Sequence, residues 1–174
     1  MARKKTESDY YSLDPILKKG KDCKYYLIYG QRSNGKTYAV LKHMMEEYFS
    51  DRKQCAIIRR FREDFIGKRG RTMFDNLLPL IPKMSNDVYN GIKYLSKQWF
   101  FVRYDEEGNV ELQDEKPFCY GFAISEGEHD KSTSYPGIKN ILFDEFISRS
   151  SYLPEEFVDF MNVLFLLFLF PCIF

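Results

Sequence analysis

No two of the four cysteines, Cys23, Cys55, Cys119 and Cys172, form a C-x-x-C pair. Three lie in or beside apolar runs and read as small core residues of a protein in a reducing compartment. Neither sign of charge dominates: 26 Lys and Arg face 25 Asp and Glu, for a net charge of +1. Whole-chain electrostatics therefore do not announce a nucleic-acid partner. Behind the charged start Met1-Ala2-Arg3-Lys4-Lys5 there is no apolar stretch. No signal or transit peptide is visible, and a cytoplasmic protein is expected. The longest apolar run, Val163 to Phe174, has twelve uncharged residues. A bilayer span needs about 20, so no membrane partner is expected. At 174 residues the chain has room for one domain with a real core and is short for two.

What the chain does have is a complete G-x-x-x-x-G-K-[ST] phosphate loop, Gly30-Gln31-Arg32-Ser33-Asn34-Gly35-Lys36-Thr37. The apolar run Tyr25-Tyr26-Leu27-Ile28-Tyr29 precedes it and a helical pattern follows, which is the strand-turn-helix setting such a loop requires. Gly30 and Gly35 let successive N–H groups wrap the β- and γ-phosphates. Lys36 adds a point charge there, Thr37 offers a hydroxyl to Mg²⁺, and the start of the following helix faces the same anion. All eight loop residues are candidate nucleotide ligands. ATP and Mg²⁺ are the expected cofactors.

Residues 1 to about 22 read as a polar, Lys-rich arm. Lys24–Tyr29 reads as the first strand, Thr37 to about Phe49 as the first helix, and Cys55–Ile58 as a strand buried on both faces of a parallel sheet. From Arg62 to Ile81 helical material is interrupted at Gly67 and Gly70 and closed by Pro79 and Pro82. Between Arg59 and Arg71 stand Arg59, Arg60, Arg62, Lys68, Arg69 and Arg71 against Glu63 and Asp64. That cluster suits either phosphate contact or a solvated face. The runs at 92–95, 99–104, 110–112 and 118–124 read as an antiparallel insertion leading into a core strand, with a hairpin turn at Glu107-Gly108-Asn109.

Ile141-Leu142-Phe143-Asp144-Glu145 has the form of a Walker B element, an apolar strand ending in two carboxylates. Strand alternation sends the two side chains in different directions. Asp144 is then the metal ligand and Glu145 the group that orients or deprotonates the attacking water. A water-activating carboxylate favours hydrolysis over phosphoryl transfer to an organic acceptor. A nucleotide-dependent binding or switch module without significant turnover remains the alternative, with a small-molecule kinase behind it.

With these motifs in order, the chain resembles the DNA-packaging (encapsidation) ATPases of small tailed bacteriophages that use a packaging RNA on the prohead. The likeness rests on the phosphate loop with Tyr38-Ala39, then Ile58-Arg59-Arg60-Phe61, Lys131-Ser132 with Tyr135-Pro136, the block Ile141 to Ile147, and Tyr152-Leu153-Pro154 with Glu156. The resemblance implies an α/β P-loop NTPase of the additional-strand, catalytic-glutamate (ASCE, RecA/FtsK-like) type, with a mainly parallel central sheet and an antiparallel hairpin insertion. It implies a homo-oligomeric ring at the portal (connector) that drives double-stranded DNA into a capsid in the host cytoplasm. It also implies a catalytic, trans-acting role for Lys131. On this reading the ATPase domain runs over 23–162, and the likeness stops after Asn162. The family's arginine finger and polar sensor are missing there, together with the C-terminal part of the fold. Residues 163–174 then read as an atypical, exposed apolar tail of a truncated or frame-shifted product. Such a chain would bind ATP better than it hydrolyses it.

Overall fold

The computed structural model describes residues 11–20, 23–31, 34–126, 135–147 and 152–168. They fall into two compact units, Met1–His43 and Met44–Phe174. In the first, α1 (Asp14–Lys19) carries proline in its first turn and lysines in its last, where fixed φ and the helix C-terminus favour them. Tyr26 Oη donates to the Gly20 carbonyl at 2.6 Å behind it. Lys24–Tyr29, expected as the first strand, forms no ladder among the described residues, and Tyr25, Leu27 and Tyr29 are more than 70% exposed. A strand is stabilised by its neighbours more than by its own propensity, and an apolar run without a partner stays irregular. α2 (Lys36–Asp51) begins in this unit and ends in the second.

The second unit is built on one sheet. Among the described residues its strands are β1 (Gln54–Arg59), β2 (Gly91–Leu95), β3 (Gln98–Tyr104), β4 (Val110–Gln113), β5 (Cys119–Ala123) and β6 (Ile138–Phe143), in the order β2-β3-β5-β1-β6, with β4 also paired to β3. β1 is the central parallel strand, paired to β5 on one side and β6 on the other. Five of its six residues are buried, as the unbroken apolar run requires. β2, β3 and β4 run antiparallel, and β3 joins β5 antiparallel through Gln98 and Trp99. The parallel part is thus three strands wide and the antiparallel side is of equal size. The hairpin turn between β3 and β4 is closed by Asp105, whose Oδ1 accepts from the amides of Glu107 and Asn109.

The broken helical stretch forms two 3₁₀ segments, Arg62–Phe65 and Asp75–Leu80, and two single-turn helices, α3 (Lys68–Arg71) and α4 (Ile81–Met84). Pro79 sits inside the second 3₁₀ segment, and Pro82 opens α4 instead of closing the region. Proline lacks the amide that a first turn leaves unbonded, so it fits there.

Two packings hold this unit together. Tyr48 and Phe49 at the end of α2 meet Phe101 and Phe118, the last two stacked at 4.0 Å between ring centroids. Within that aromatic layer Asp114 is nearly inaccessible and accepts from Tyr48 Oη at 2.9 Å and Arg52 at 2.7 Å. Burial and the neighbouring carboxylate push the Tyr48 hydroxyl well above the usual tyrosine range, so it remains a donor. The second packing joins α5 (Glu156–Phe168) to the sheet. Val163, Leu164, Leu166 and Leu167 are buried in one cluster with Ala56, Ile58, Phe122, Ile124 and Ile138. Of the residues expected as an exposed tail, Val163, Leu164, Leu166 and Leu167 are core, while Phe165 is exposed. Their spacing of i, i+1, i+3 and i+4 is that of one helix face turned toward a core. No helix among the described residues is long and apolar enough to cross a membrane.

Replacing Asp114 by Ala leaves Tyr48 Oη and Arg52 without their acceptor. The expected cost is about 2–4 kcal/mol, read as a lowered urea midpoint with an unchanged m-value.

Candidate functional site: the phosphate loop and the end of strand β6

In the first unit the described loop residues are Gly30, Gln31 and Asn34 to Thr37; Arg32 and Ser33 lie outside the described residues. Gly35 has φ +88°, a conformation that a side chain would strain. The chain enters α2 directly after it, with the Ala39 amide on the Gly35 carbonyl at 2.9 Å. Lys36 curls back over the loop: its ammonium donates to the Gly30 carbonyl at 3.2 Å, the Gln31 carbonyl at 2.5 Å and Asn34 Oδ1 at 3.0 Å. The loop therefore gathers its oxygens on one cation. All three acceptors are neutral, and a polyphosphate anion is the stronger partner for that charge.

In the second unit β6 ends as expected in Asp144 and Glu145. The Asp144 amide extends the β6–β1 ladder to the Ile58 carbonyl. Glu145 has φ +57°, so the strand geometry stops there. The two carboxylates, expected to diverge, converge on one guanidinium: Arg59 reaches Asp144 Oδ2 at 2.6 Å and Glu145 Oε2 at 3.1 Å. Asp144 and Arg59 are 14% and 16% exposed, Glu145 75%, so the inner pair carries most of the attraction. Arg59 Nε is buried with no hydrogen-bond partner, a cost that a rearrangement of this arginine can relieve.

Arg60, the next residue, is 6% exposed and grips Glu156 in a two-point contact at 2.6 and 2.7 Å. It also donates to the carbonyls of Glu145 and Phe146 and lies over the Tyr152 ring. Glu156 in turn accepts the Leu153 amide at 3.0 Å. Arg60 and the amide hold the Glu156 carboxyl below the usual glutamate range. One guanidinium thus fastens the loop after β6 to the first turn of α5. The sequence puts Arg59 and Arg60 in a basic cluster suited to phosphate contact or a solvated face and leaves Glu156 without a task. The available signal was two consecutive arginines after a fully buried strand, where alternation sends the two side chains to opposite sides. Lys131 lies outside the described residues.

A family model described as podovirus DNA encapsidation protein (Gp16) matches residues 5–169. The chain belongs to that family. The match continues past Asn162 to residue 169, so the family likeness does not stop where the apolar run begins. Among curated relatives, the DNA packaging protein of Bacillus phage B103 is 25% identical over 140 residues, and that of Bacillus phage phi29 is 24% identical over 140 residues. Each alignment covers 79% of this chain but only 37% and 36% of the relative, so the chain spans little more than a third of their length. The fold resembles the N-terminal domain of the DNA packaging ATPase from bacteriophage phi29, with a TM-score of 0.71 at 20% identity over 92% of this chain and 73% of that one. It also resembles a chain of the bacteriophage phi29 viral genome packaging motor assembly, with a TM-score of 0.68 at 20% identity over 92% of this chain and 43% of that one.

Within this family member, Glu156→Gln is expected to cost about 2–3 kcal/mol near neutral pH, because Arg60 is left without its carboxylate. The wild-type carboxyl has a lowered folded-state pKa. Its contribution is therefore full above the unfolded-state value and drains as pH falls through the folded-state one. The stability gap between wild type and Glu156→Gln should close on the acid side, as chemical denaturation at stepped pH values will show.

Proposed function

We propose that this chain is an ATP-binding and ATP-hydrolysing motor domain that drives double-stranded viral DNA into a prohead. The observation that carries the reading is the presence in one chain of two features, one in each unit: a glycine-turned loop folded around Lys36 at the start of α2, and an Asp-Glu pair closing a parallel core strand. Membership of the DNA encapsidation family and a fold shared with a packaging ATPase domain support it.

In the proposed cycle Lys36 exchanges the loop oxygens for the β- and γ-phosphates, and the loop amides share the charge. Mg²⁺ is a hard cation that takes oxygen donors, and the Thr37 hydroxyl and the Asp144 carboxylate are of that type. Held by these residues, Mg²⁺ would supply charge neutralisation for the phosphates. Glu145 orients the attacking water and accepts its proton. Arg59 holds both carboxylates, so Asp144 and Glu145 must exchange that cation for their catalytic partners. Assembly as a homo-oligomeric ring on a portal with packaging RNA, in the host cytoplasm, is part of the same proposal.

The grip of Arg59 on Glu145 also favours a second reading, a nucleotide-dependent switch that binds ATP without significant turnover. Two variants separate the readings. Glu145→Gln should retain ATP while single-turnover hydrolysis falls by about 10²–10⁴-fold, and Lys36→Ala should weaken ATP binding by roughly tenfold or more. A slow rate that Glu145→Gln leaves unchanged would favour the switch. Loss of neither binding nor hydrolysis in both variants would sink the motor.

A further inference from the structure

The basic stretch after β1 is not used by the nucleotide chemistry, and its geometry is unusual for a solvated charge run. α3 consists of Lys68-Arg69-Gly70-Arg71, and its only residue without charge is buried. Gly70 sits so close to the sheet that a Cβ there would meet the Tyr94 side chain at 2.6–2.7 Å as well as the Phe65 carbonyl. Its own carbonyl accepts the indole N–H of fully buried Trp99 at 2.9 Å. Tyr94 Oη donates to the Phe65 carbonyl just before the turn, and Thr72 Oγ1 donates to the Lys68 carbonyl just after it. Backbone held at this many points does not drift, so the three cationic side chains leave a fixed platform.

The charges around the platform do not balance. Arg62 and Lys97 share Glu126, and Arg69 pairs with Asp64. Lys68 and Arg71 are exposed and have no side-chain hydrogen bond or ion pair among the described residues. They stand three residues apart, on one side of a helical turn. Uncommitted cations on a rigid support suit a regularly spaced polyanion, because no existing ion pair has to break and no backbone freedom is lost on contact.

We infer that the Lys68-Arg69-Gly70-Arg71 turn is a phosphate-backbone contact for double-stranded DNA, with Lys68 and Arg71 as its direct ligands and Gly70 as the residue that fixes its position. This rests on the proposed DNA-translocating role and adds the surface through which the duplex is held. The contact is sequence-independent, since exposed cations on a shallow turn meet phosphates and not base edges.

The test is binding of the full chain to a labelled 30-base-pair DNA duplex by fluorescence anisotropy, with ATP and Mg²⁺, across a salt series. Lys68→Ala/Arg71→Ala should weaken binding about tenfold at moderate salt and lower the slope of log affinity against log salt by about 2, near one unit per lost phosphate contact. A control that removes the same charge elsewhere, Lys83→Ala/Arg103→Ala, should leave both quantities nearly unchanged, and matched thermal melts will show that both variants are folded. Equal losses in both variants, or no loss in the first, overturn the assignment of this turn while wild-type binding upholds the DNA role. A loss confined to a duplex RNA of equal length also overturns it. A wild-type chain that fails to bind the DNA duplex at low salt removes both the surface and the function on which it rests.

Discussion

Two adjacent guanidinium groups at the end of β1 organise the carboxyl edge of the sheet. β1 has parallel neighbours on both sides and is buried almost throughout, so its last residues are placed with little freedom. Alternation turns Arg59 toward Asp144 and Glu145, and Arg60 toward Glu156 and the carbonyls after β6. Arginine suits both places because its planar fork satisfies two acceptors at once. Lysine would supply one point charge and leave the second carboxylate oxygen of Glu156 unmatched. Three carboxylates fold in against this pair, and without Arg60 the carbonyls of Glu145 and Phe146 would lose their tie to Glu156 in the first turn of α5.

Legibility in the sequence followed the range of the interaction. β1 was readable from Cys55 to Ile58 because four buried residues in a row leave a run of apolar letters. The hairpin was readable because a left-handed Gly108 and an acceptor such as Asp105 solve a purely local problem. The glycine turn that leads into α2 was readable for the same reason. Lys24–Tyr29 was misjudged because a strand's existence is decided by a neighbour elsewhere in the chain, which its own letters do not carry. Val163, Leu164, Leu166 and Leu167 were misjudged from the opposite side: absence of charge suggested an irregular tail, when these four form a helix face packed on Ala56, Ile58 and Phe122.

The candidate site was legible as a set of letters and less so as an arrangement. Asp144 and Glu145 stand at the end of their strand as expected, yet the positive φ at Glu145 turns both acids onto Arg59. A pattern of residue types says which chemistry is available. Only the backbone says which charges are already neutralising one another, and here the two acids at the end of β6 rest on a cation of the neighbouring strand.

Trp99 is the one tryptophan of the chain. Its ring lies between Phe65, Phe74 and Tyr94, and its N–H ends on Gly70 beneath the basic turn. The protein thus carries a single indole, excitable apart from its tyrosines, whose surroundings are the foot of α3 and the β2–β3 pair. Its emission is a native optical gauge of that one region, readable without labels, and any lifting of the turn from the sheet would redden it before the rest of the fold gave way.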